Sequence, residues 1–240
     1  MINYLKSKLI QLSLLPNIFC IFEPFYLARY NLKKNIESLA NNINGKTLDV
    51  GCGAKQYENM FKKTSDYVGI EIETELQKKR NIADYFYDGK KIPFDNESFD
   101  SILTFQVFEH IFEPKEFLSE IARVLKPGGH ILITVPFIWD EHEKPYDFGR
   151  YSSFGIKYLF ETNNFQVIKY KKSTVGVECI FQLIVASIEK KIFTNFIFLN
   201  YLIKLFIISP INLLAITLNL IIPKNHDLFL DNVLLAKKIK

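Results

Sequence analysis

From Lys46 onward, short runs of aliphatic and β-branched residues alternate with stretches whose apolar positions recur every three or four residues. Thr47–Val50, Tyr67–Glu71, Ser101–Phe105 and Ile131–Pro136 are runs of the first kind, bounded by Gly, Asp or Pro, and predict strands. A weaker strand falls near Ile82–Tyr87. Lys115–Lys126 is of the second kind, with Phe117, Leu118, Ile121 and Leu125 on one face and Pro127-Gly-Gly as its stop. Further helices are predicted over Pro24–Ala40, with Gly45 closing it off, and over Glu58–Lys63 and Glu73–Arg80. Another starts at Ser152 or Ser153 as N-cap and runs through Leu159 and Phe160 to Asn163-Asn164. Such alternation implies a doubly wound α/β fold: a parallel sheet with right-handed crossovers, helices on both faces, and ligands at the strands' carboxyl ends.

Composition narrows the class without naming it. A chain of 240 residues, 48% hydrophobic and 15% aromatic, can bury one full core with an appendage. The net charge of +4 is spread along the chain, whereas a nucleic-acid footprint would be a basic stripe, so no nucleic-acid partner is expected. Cys20, Cys52 and Cys179 are odd in number and widely spaced, which fits a reducing cytosol and no metal site. The amino terminus lacks a signal peptide's uninterrupted apolar core. Leu9–Phe22 is apolar but broken by Gln11, Ser13, Pro16 and Asn17, and reads as two short amphipathic pieces joined at Pro16.

The most chemically loaded stretch is Thr47-Leu-Asp-Val-Gly-Cys-Gly-Ala-Lys55, answered by Tyr67-Val-Gly-Ile-Glu71. Gly51 and Gly53 can take positive φ and admit a ligand close to the backbone. A helix starting soon afterwards would add unpaired N–H groups at the same spot. Glu71, at the tip of the next strand, is placed to accept both hydroxyls of a ribose. A nucleotide-like ligand follows. The dinucleotide fingerprint fails, because Gly53 is followed by Ala54, Lys55 and Gln56 where a third Gly or Ala is required.

The same residues resemble the class I S-adenosylmethionine-dependent methyltransferases, and the match continues in order. Asp88-Gly-Lys-Lys-Ile-Pro-Phe94 is similar to the family segment that holds the adenine. Gln106-Val-Phe-Glu-His110 resembles the family's Glu-Val-Leu-Glu-His loop, with Gln in place of the first acid. Ile121–Gly129 and Ile131–Pro136 look like the family's helix, turn and fifth strand, and Asp231–Lys238 like its closing strand. The resemblance implies a Rossmann-like seven-stranded sheet, mostly parallel with the last strand antiparallel, and S-adenosyl-L-methionine as cofactor. It implies cofactor contacts from Asp49, Gly51, Cys52, Gly53, Glu71, Ile72, Asp88, Gly89, Phe105 and Gln106. Cys52 also reads simply as a small residue packed between the glycines, and His110 as a packing and hydrogen-bonding residue. The implied organisation is a helical segment over 1–45, a core over 46–173, an apolar helical insert over 174–228 and a closing strand over 229–240.

Methyl transfer from a sulfonium mainly requires alignment, and a general base when the acceptor is a hydroxyl. That base is expected in the loop beyond the fifth strand, Pro136–Tyr151, which packs His142, Asp147, Arg150 and Tyr151 beside the chain's single tryptophan, Trp139. His142 and Asp147 are the candidate bases; Trp139, Arg150 and Tyr151 the candidate acceptor contacts. Asp147 and Arg150 also read as an ion pair that anchors the loop. Gly51-Cys-Gly-x-Lys-x-Tyr57 with this loop is similar to a bacterial branch associated with surface-polysaccharide synthesis, which implies a glycan or lipid-linked sugar acceptor; a small lipophilic acceptor is the alternative. The rival from another class is a catalytically silent S-adenosylmethionine-binding or membrane scaffold protein.

Ile192–Ile222 carries one charge, Lys204. Ser209-Pro210 reads as an N-cap followed by Pro at the first helical position, splitting the run into two helices of about thirteen to seventeen residues. Each would rise about 20–26 Å, short of the ~30 Å hydrocarbon core. Asn200, Lys204, Asn212 and Asn219 form at most a narrow polar stripe. The apolar remainder is expected to lie on the cytoplasmic membrane face or in a homodimer interface.

Overall fold

The computed structural model describes residues 21–239, so the amphipathic pieces expected around Pro16 lie outside the described residues. The chain divides into two compact units. Of the described residues, one comprises 35–171 and 231–239, the other 21–34 and 172–230.

The larger unit is built on a seven-stranded sheet. Its strands are β1 (Gly45–Val50), β2 (Thr64–Ile72), β3 (Tyr85–Tyr87), β4 (Phe99–Phe105), β5 (Leu125–Pro136), β6 (Phe165–Val175) and β7 (Phe229–Lys238), in the spatial order β3-β2-β1-β4-β5-β7-β6. β1 to β5 pair in parallel, and β7 runs antiparallel to β5. This is the Rossmann-like sheet expected from the sequence. Its central strands are apolar along their length because both faces are covered: Ile131, Leu132, Ile133 and Val135 of β5 are all buried, as are Val233 to Ala236 of β7.

Helix α1 (Tyr26–Leu39) precedes β1, and α2 (Glu75–Arg80) follows β2 with Thr74 as N-cap, its side chain accepting from the Gln77 amide at 3.2 Å. Helix α3 (Pro114–Val124) buries Phe117, Leu118, Ile121 and Val124 against the sheet. Leu125, expected on this helix, opens β5 instead. Helix α4 (Ser153–Glu161) is capped by Ser152, whose hydroxyl accepts from the Gly155 amide.

The helix expected over Glu58–Lys63 does not form; a single 3-10 turn spans Glu58–Met60. Phe61 leaves the helical region at φ −93° and ψ 71°, so the turn ends before Lys63. Lys55 Nζ is drawn to Asp84 Oδ2 at 2.6 Å, and Tyr57 and Phe61 turn inward and bury. The glycine loop is therefore not followed by the helix N-terminus that the sequence suggested.

The smaller unit holds α5 (Val177–Ile192) and a continuous 25-residue helix, α6 (Ile197–Ile221). The expected break at Ser209-Pro210 is absent. Ser209 has helical φ and ψ of −59° and −47°, and a π turn over Lys204–Ile208 precedes it. Widening the spiral there takes up the carbonyl that the Pro210 ring would otherwise strike. At 1.5 Å per residue α6 is about 37 Å long, so the argument that it is too short to span a bilayer falls.

Polar bonds tie these helices to residues 21–31. Gln182 Nε2 donates to the Pro24 carbonyl at 2.8 Å while its Oε1 accepts from the Ala28 amide at 3.0 Å. Lys204 Nζ meets Glu23 Oε1 at 2.8 Å, and Asn212 Nδ2 donates to the Ile21 carbonyl at 2.7 Å. The polar stripe of α6 thus faces inward. Its most exposed apolar positions are Ile197, Phe198, Tyr201, Phe206, Leu213, Leu220 and Ile221.

Candidate active site

The carboxyl ends of β1, β2 and β4 carry the residues that the sequence singled out. At the end of β1 Asp49 is buried and accepts a 2.5 Å hydrogen bond from the Tyr67 hydroxyl. Burial pushes its pKa up to about 7 against the pull of that bond, and burial likewise raises the Tyr67 phenol. Gly51 turns the chain at φ 73°; a Cβ there would run into the Val107 side chain. Gly53 is also left-handed, at φ 50°, but no heavy atom lies within 4 Å of where its Cβ would be. The loop is tight at its first glycine and open above its second. Cys52 is buried between them, with its thiol pushed up to about 12 by burial, so it packs rather than reacts.

Glu71, near the tip of β2, reaches back to this loop. Its Oε2 accepts from the Gly53 amide at 2.9 Å and its Oε1 from the Ile72 amide at 3.1 Å. A carboxylate has about four acceptor positions, so two remain for a ligand's hydroxyls. Ile72 is exposed beside it, and a Cβ on Gly89 would meet the Ile72 side chain at 3.2 Å. Asp88, fully exposed past β3, accepts from the Lys90 and Lys91 amides, and these backbone bonds hold its pKa below the usual carboxylate range. Phe105, at the end of β4, lies edge-on to Tyr57 at 5.2 Å and packs under the glycine loop.

Gln106 takes φ 56° and donates through Nε2 to Thr134 Oγ1 at 3.1 Å and Asp231 Oδ1 at 3.3 Å. Asp231, near the start of the antiparallel β7, pairs with Pro136, which puts it at this same end of the sheet. Burial raises its pKa to about 7. The sequence offered no sign of this role, because Asp231 lies 125 residues from Gln106.

The loop between β5 and α4 is clamped over the β4 end. The Phe148 and Gly149 amides both donate to the Glu109 carbonyl, at 2.8 and 3.0 Å. Within the loop, Arg150 grips Asp147 with two bonds of 2.5 and 2.6 Å, and the His142 amide donates to Asp147 at 3.0 Å. The Arg150 pairing, with the His142 bond behind it, lowers the Asp147 pKa to about 2. This geometry is that of the ion pair expected to anchor the loop, with both Asp147 oxygens engaged by Arg150. Tyr151 is half-buried against Phe108 at 5.2 Å, and its carbonyl accepts from Asn232 Nδ2 at 2.8 Å. Trp139 is partly exposed on the same loop.

Three side chains converge beneath this loop: Glu109, His110 and His142. Glu109 is fully buried and its pKa is pushed up to about 8, chiefly by desolvation. His110 Nδ1 lies 2.7 Å from the Tyr146 carbonyl, and the two imidazoles are edge-on at 5.0 Å. Glu109 and His110 were visible only as part of the Gln106–His110 motif; their meeting with His142 is a tertiary fact.

Comparison with known proteins sharpens the picture. Residues 48–133 match the family profile described as "Methyltransferase domain". These residues are similar to a methyltransferase domain. An uncharacterized protein of Methanocaldococcus jannaschii is 35% identical over 107 residues, covering 43% of this chain and 51% of its own. A fatty-acid O-methyltransferase of Mycolicibacterium smegmatis is 30% identical over 121 residues, covering 45% of this chain and 44% of its own. The chain thus spans about half the length of these curated relatives. The fold as a whole is shared with a SAM-dependent methyltransferase from Archaeoglobus fulgidus, at a TM-score of 0.55 and 18% identity over 86% of this chain and 93% of that one.

S-adenosyl-L-methionine is the cofactor that goes with such a domain, and the residues present fit it. The open space above Gly53 admits a ligand against the loop backbone, and Glu71 has acceptor capacity for a ribose. Ile72 offers an apolar shelf between Glu71 and Asp88. When bound, the cofactor supplies a methyl group on a positively charged sulfur. The buried Asp49 and the Gln106–Asp231 pair would add polar groups at the same end of the sheet.

Proposed function

We propose that the chain is an S-adenosylmethionine-dependent methyltransferase that methylates a hydroxyl of a glycan or lipid-linked sugar at the cytoplasmic membrane face. The observation that carries the methyltransferase reading is the pairing of the open Gly53 loop with Glu71. The cluster of Glu109, His110 and His142 supports oxygen as the acceptor atom, since a hydroxyl has to lose a proton and these groups can take part in its removal. The lid residues Trp139 and Arg150 offer an aromatic wall and a cation to a polar ring.

The membrane reading is supported by α6. A surface helix of a water-soluble domain turns its apolar face inward. Here Lys204 and Asn212 point inward, while Phe198 and Leu220 remain 74% and 81% exposed. That much exposed apolar surface needs lipid or protein against it. The fatty-acid substrate in the name of the M. smegmatis relative makes a lipophilic acceptor the second reading for the same site.

The test supplies radiolabelled S-adenosylmethionine to the purified chain together with membrane extracts. Label entering a lipid-soluble fraction that mild acid converts to a water-soluble sugar supports the proposal. Label in acid-stable lipid moves the acceptor to the second reading. Absence of both labelling and S-adenosylmethionine binding overturns the methyltransferase reading.

A further inference from the structure

Glu109 is fully buried, yet neither carboxylate oxygen has a hydrogen-bond partner. A buried, unsatisfied carboxylate is costly, and its neighbours show what would satisfy it. His110 Nε2 and His142 Nε2 each lie 3.9 Å from Glu109 Oε1, too far for hydrogen bonds and on the same oxygen. All three ligand-type atoms lie within 4.8 Å of one another.

The far sides of both rings are fixed. His110 Nδ1 faces the Tyr146 carbonyl at 2.7 Å, and His142 Nδ1 faces the Asp140 carbonyl at 3.2 Å and Asp147 Oδ2 at 3.4 Å. A carbonyl only accepts, so each Nδ1 is placed to donate, which leaves Nε2 as the ring atom facing Glu109 and as the one that offers a lone pair in the neutral ring. Metal-binding histidines show this outer-shell pattern, with the remote N–H given to a backbone carbonyl or carboxylate. The nearby Arg150 does not oppose a cation strongly, because its guanidinium is gripped by Asp147.

We propose that Glu109, His110 and His142 bind a divalent transition-metal ion of the zinc class. Two imidazole nitrogens and one carboxylate oxygen make a catalytic-type donor set that leaves coordination positions open. Ligands about 2.0–2.1 Å from a tetrahedral ion stand about 3.3 Å apart, so the observed 3.9 Å closes with a shift of about half an ångström. The histidines retain 19% and 29% side-chain exposure, which leaves the ion reachable from solvent.

The role of the ion rests on the methyltransferase reading, although the site itself does not. An acceptor hydroxyl in an open position would release its proton to bulk water. Its oxygen would then form the bond to the methyl carbon as the carbon–sulfur bond breaks, that electron pair staying on sulfur. His142 is then a ligand rather than the general base that the sequence suggested.

The test uses the tag-free, full-length chain, stripped with chelator and titrated with Zn²⁺ by calorimetry. One Zn²⁺ per chain is expected. Losing an outer-shell partner already costs about 10–100-fold in metal affinity, so Glu109→Gln, His110→Ala and His142→Ala should each lower it by at least about 100-fold. His226→Ala, at an exposed histidine in the other unit, should leave it unchanged. Co²⁺ loading should give visible absorption bands of a low-coordinate nitrogen and oxygen site, lost in the same three variants. A wild-type chain that takes up no Zn²⁺, or variants that bind it as wild type does, overturn the proposal. S-adenosylmethionine affinity, measured on every variant, confirms that the domain is folded and separates the two readings. Cofactor binding without Zn²⁺ removes only the metal site, and Zn²⁺ binding through these residues without cofactor removes only the methyltransferase.

Discussion

The amide of Gly53 donates to Glu71 Oε2 at 2.9 Å, so the loop after β1 and the tip of β2 are held as one rim. Two roles meet in that carboxylate: it fixes the loop and keeps acceptor positions for a ribose. Glu71→Ala should weaken S-adenosylmethionine binding by about 10–150-fold, the equivalent of about 1.5–3 kcal/mol for hydrogen bonds to a charged group. Glu71→Gln should recover part of this, because it restores one acceptor oxygen. Calorimetry that finds Glu71→Ala binding as wild type does would remove the ribose assignment.

The two glycines of the loop separate stability from binding. Both are left-handed, which costs a substituted residue about 1–2 kcal/mol. Gly51→Ala adds a clash with Val107, so it should depress Tm sharply. Gly53→Ala meets no protein atom and should depress Tm modestly, but its methyl projects into the ligand space and should weaken S-adenosylmethionine by more than tenfold. Equal effects of the two substitutions on both measurements would show that the space above Gly53 is not where the cofactor lies.

Much of this was legible in the sequence, for a physical reason. Strands covered on both faces are mostly apolar, so β1, β4, β5 and the inner part of β2 announce themselves, and the glycine loop marks where the chain needs φ > 0. What was not legible depends on partners distant in sequence. No local pattern shows that Tyr57 and Phe61 bury where a helix was expected over Glu58–Lys63, or that Asp231 meets Gln106. The apolar run 192–222 was legible as helical but misread at Ser209-Pro210, because a π turn is set by packing and not by composition. Glu109 was visible within its motif, but its burial, and hence its demand for a partner, was not.

The Asp147–Arg150 pair should hold the lid in register. Asp147 is almost fully buried while Arg150 is a quarter exposed, so removing the carboxylate leaves a partly solvated cation rather than a wholly buried one. Asp147→Asn should cost about 1.5–3 kcal/mol and raise KM for the acceptor, with S-adenosylmethionine affinity unchanged. Arg150→Lys should do the same in milder form, since an ammonium cannot reproduce the two-pronged contact. A fall in kcat with KM and Tm intact would instead make Asp147 a participant in the proton transfer.

Asp231 should make the fold sensitive to pH. Its pKa is about 7 when folded against an ordinary value of 3.8. A raised acid binds more protons folded than unfolded across that window, so its contribution to stability is complete below about pH 4 and is lost as pH rises toward 7. Asp49, also raised to about 7, acts in the same direction. Asp231→Asn keeps an acceptor oxygen for Gln106 and removes the ionisation. Its Tm should match wild type below about pH 4 and exceed it increasingly toward pH 8. Parallel Tm profiles for the two proteins across that range would mean that Asp231 is already ionised in the folded state.

The exposed face of α6 should govern membrane attachment. Phe198, Leu213 and Leu220 are all more than half exposed, so replacing them with Ser disturbs little packing. Burying a large apolar side chain is worth about 1.5–3 kcal/mol, and half that for partial insertion at an interface would still amount to several kcal/mol over three residues. The triple variant Phe198→Ser, Leu213→Ser, Leu220→Ser should therefore lose binding to anionic phospholipid vesicles by at least about 100-fold, while its S-adenosylmethionine affinity remains that of wild type. Vesicle flotation measures the first and calorimetry the second. If wild type stays with the aqueous phase as a dimer and the variant is a monomer, the same face belongs to a second copy of the chain and the membrane assignment is wrong.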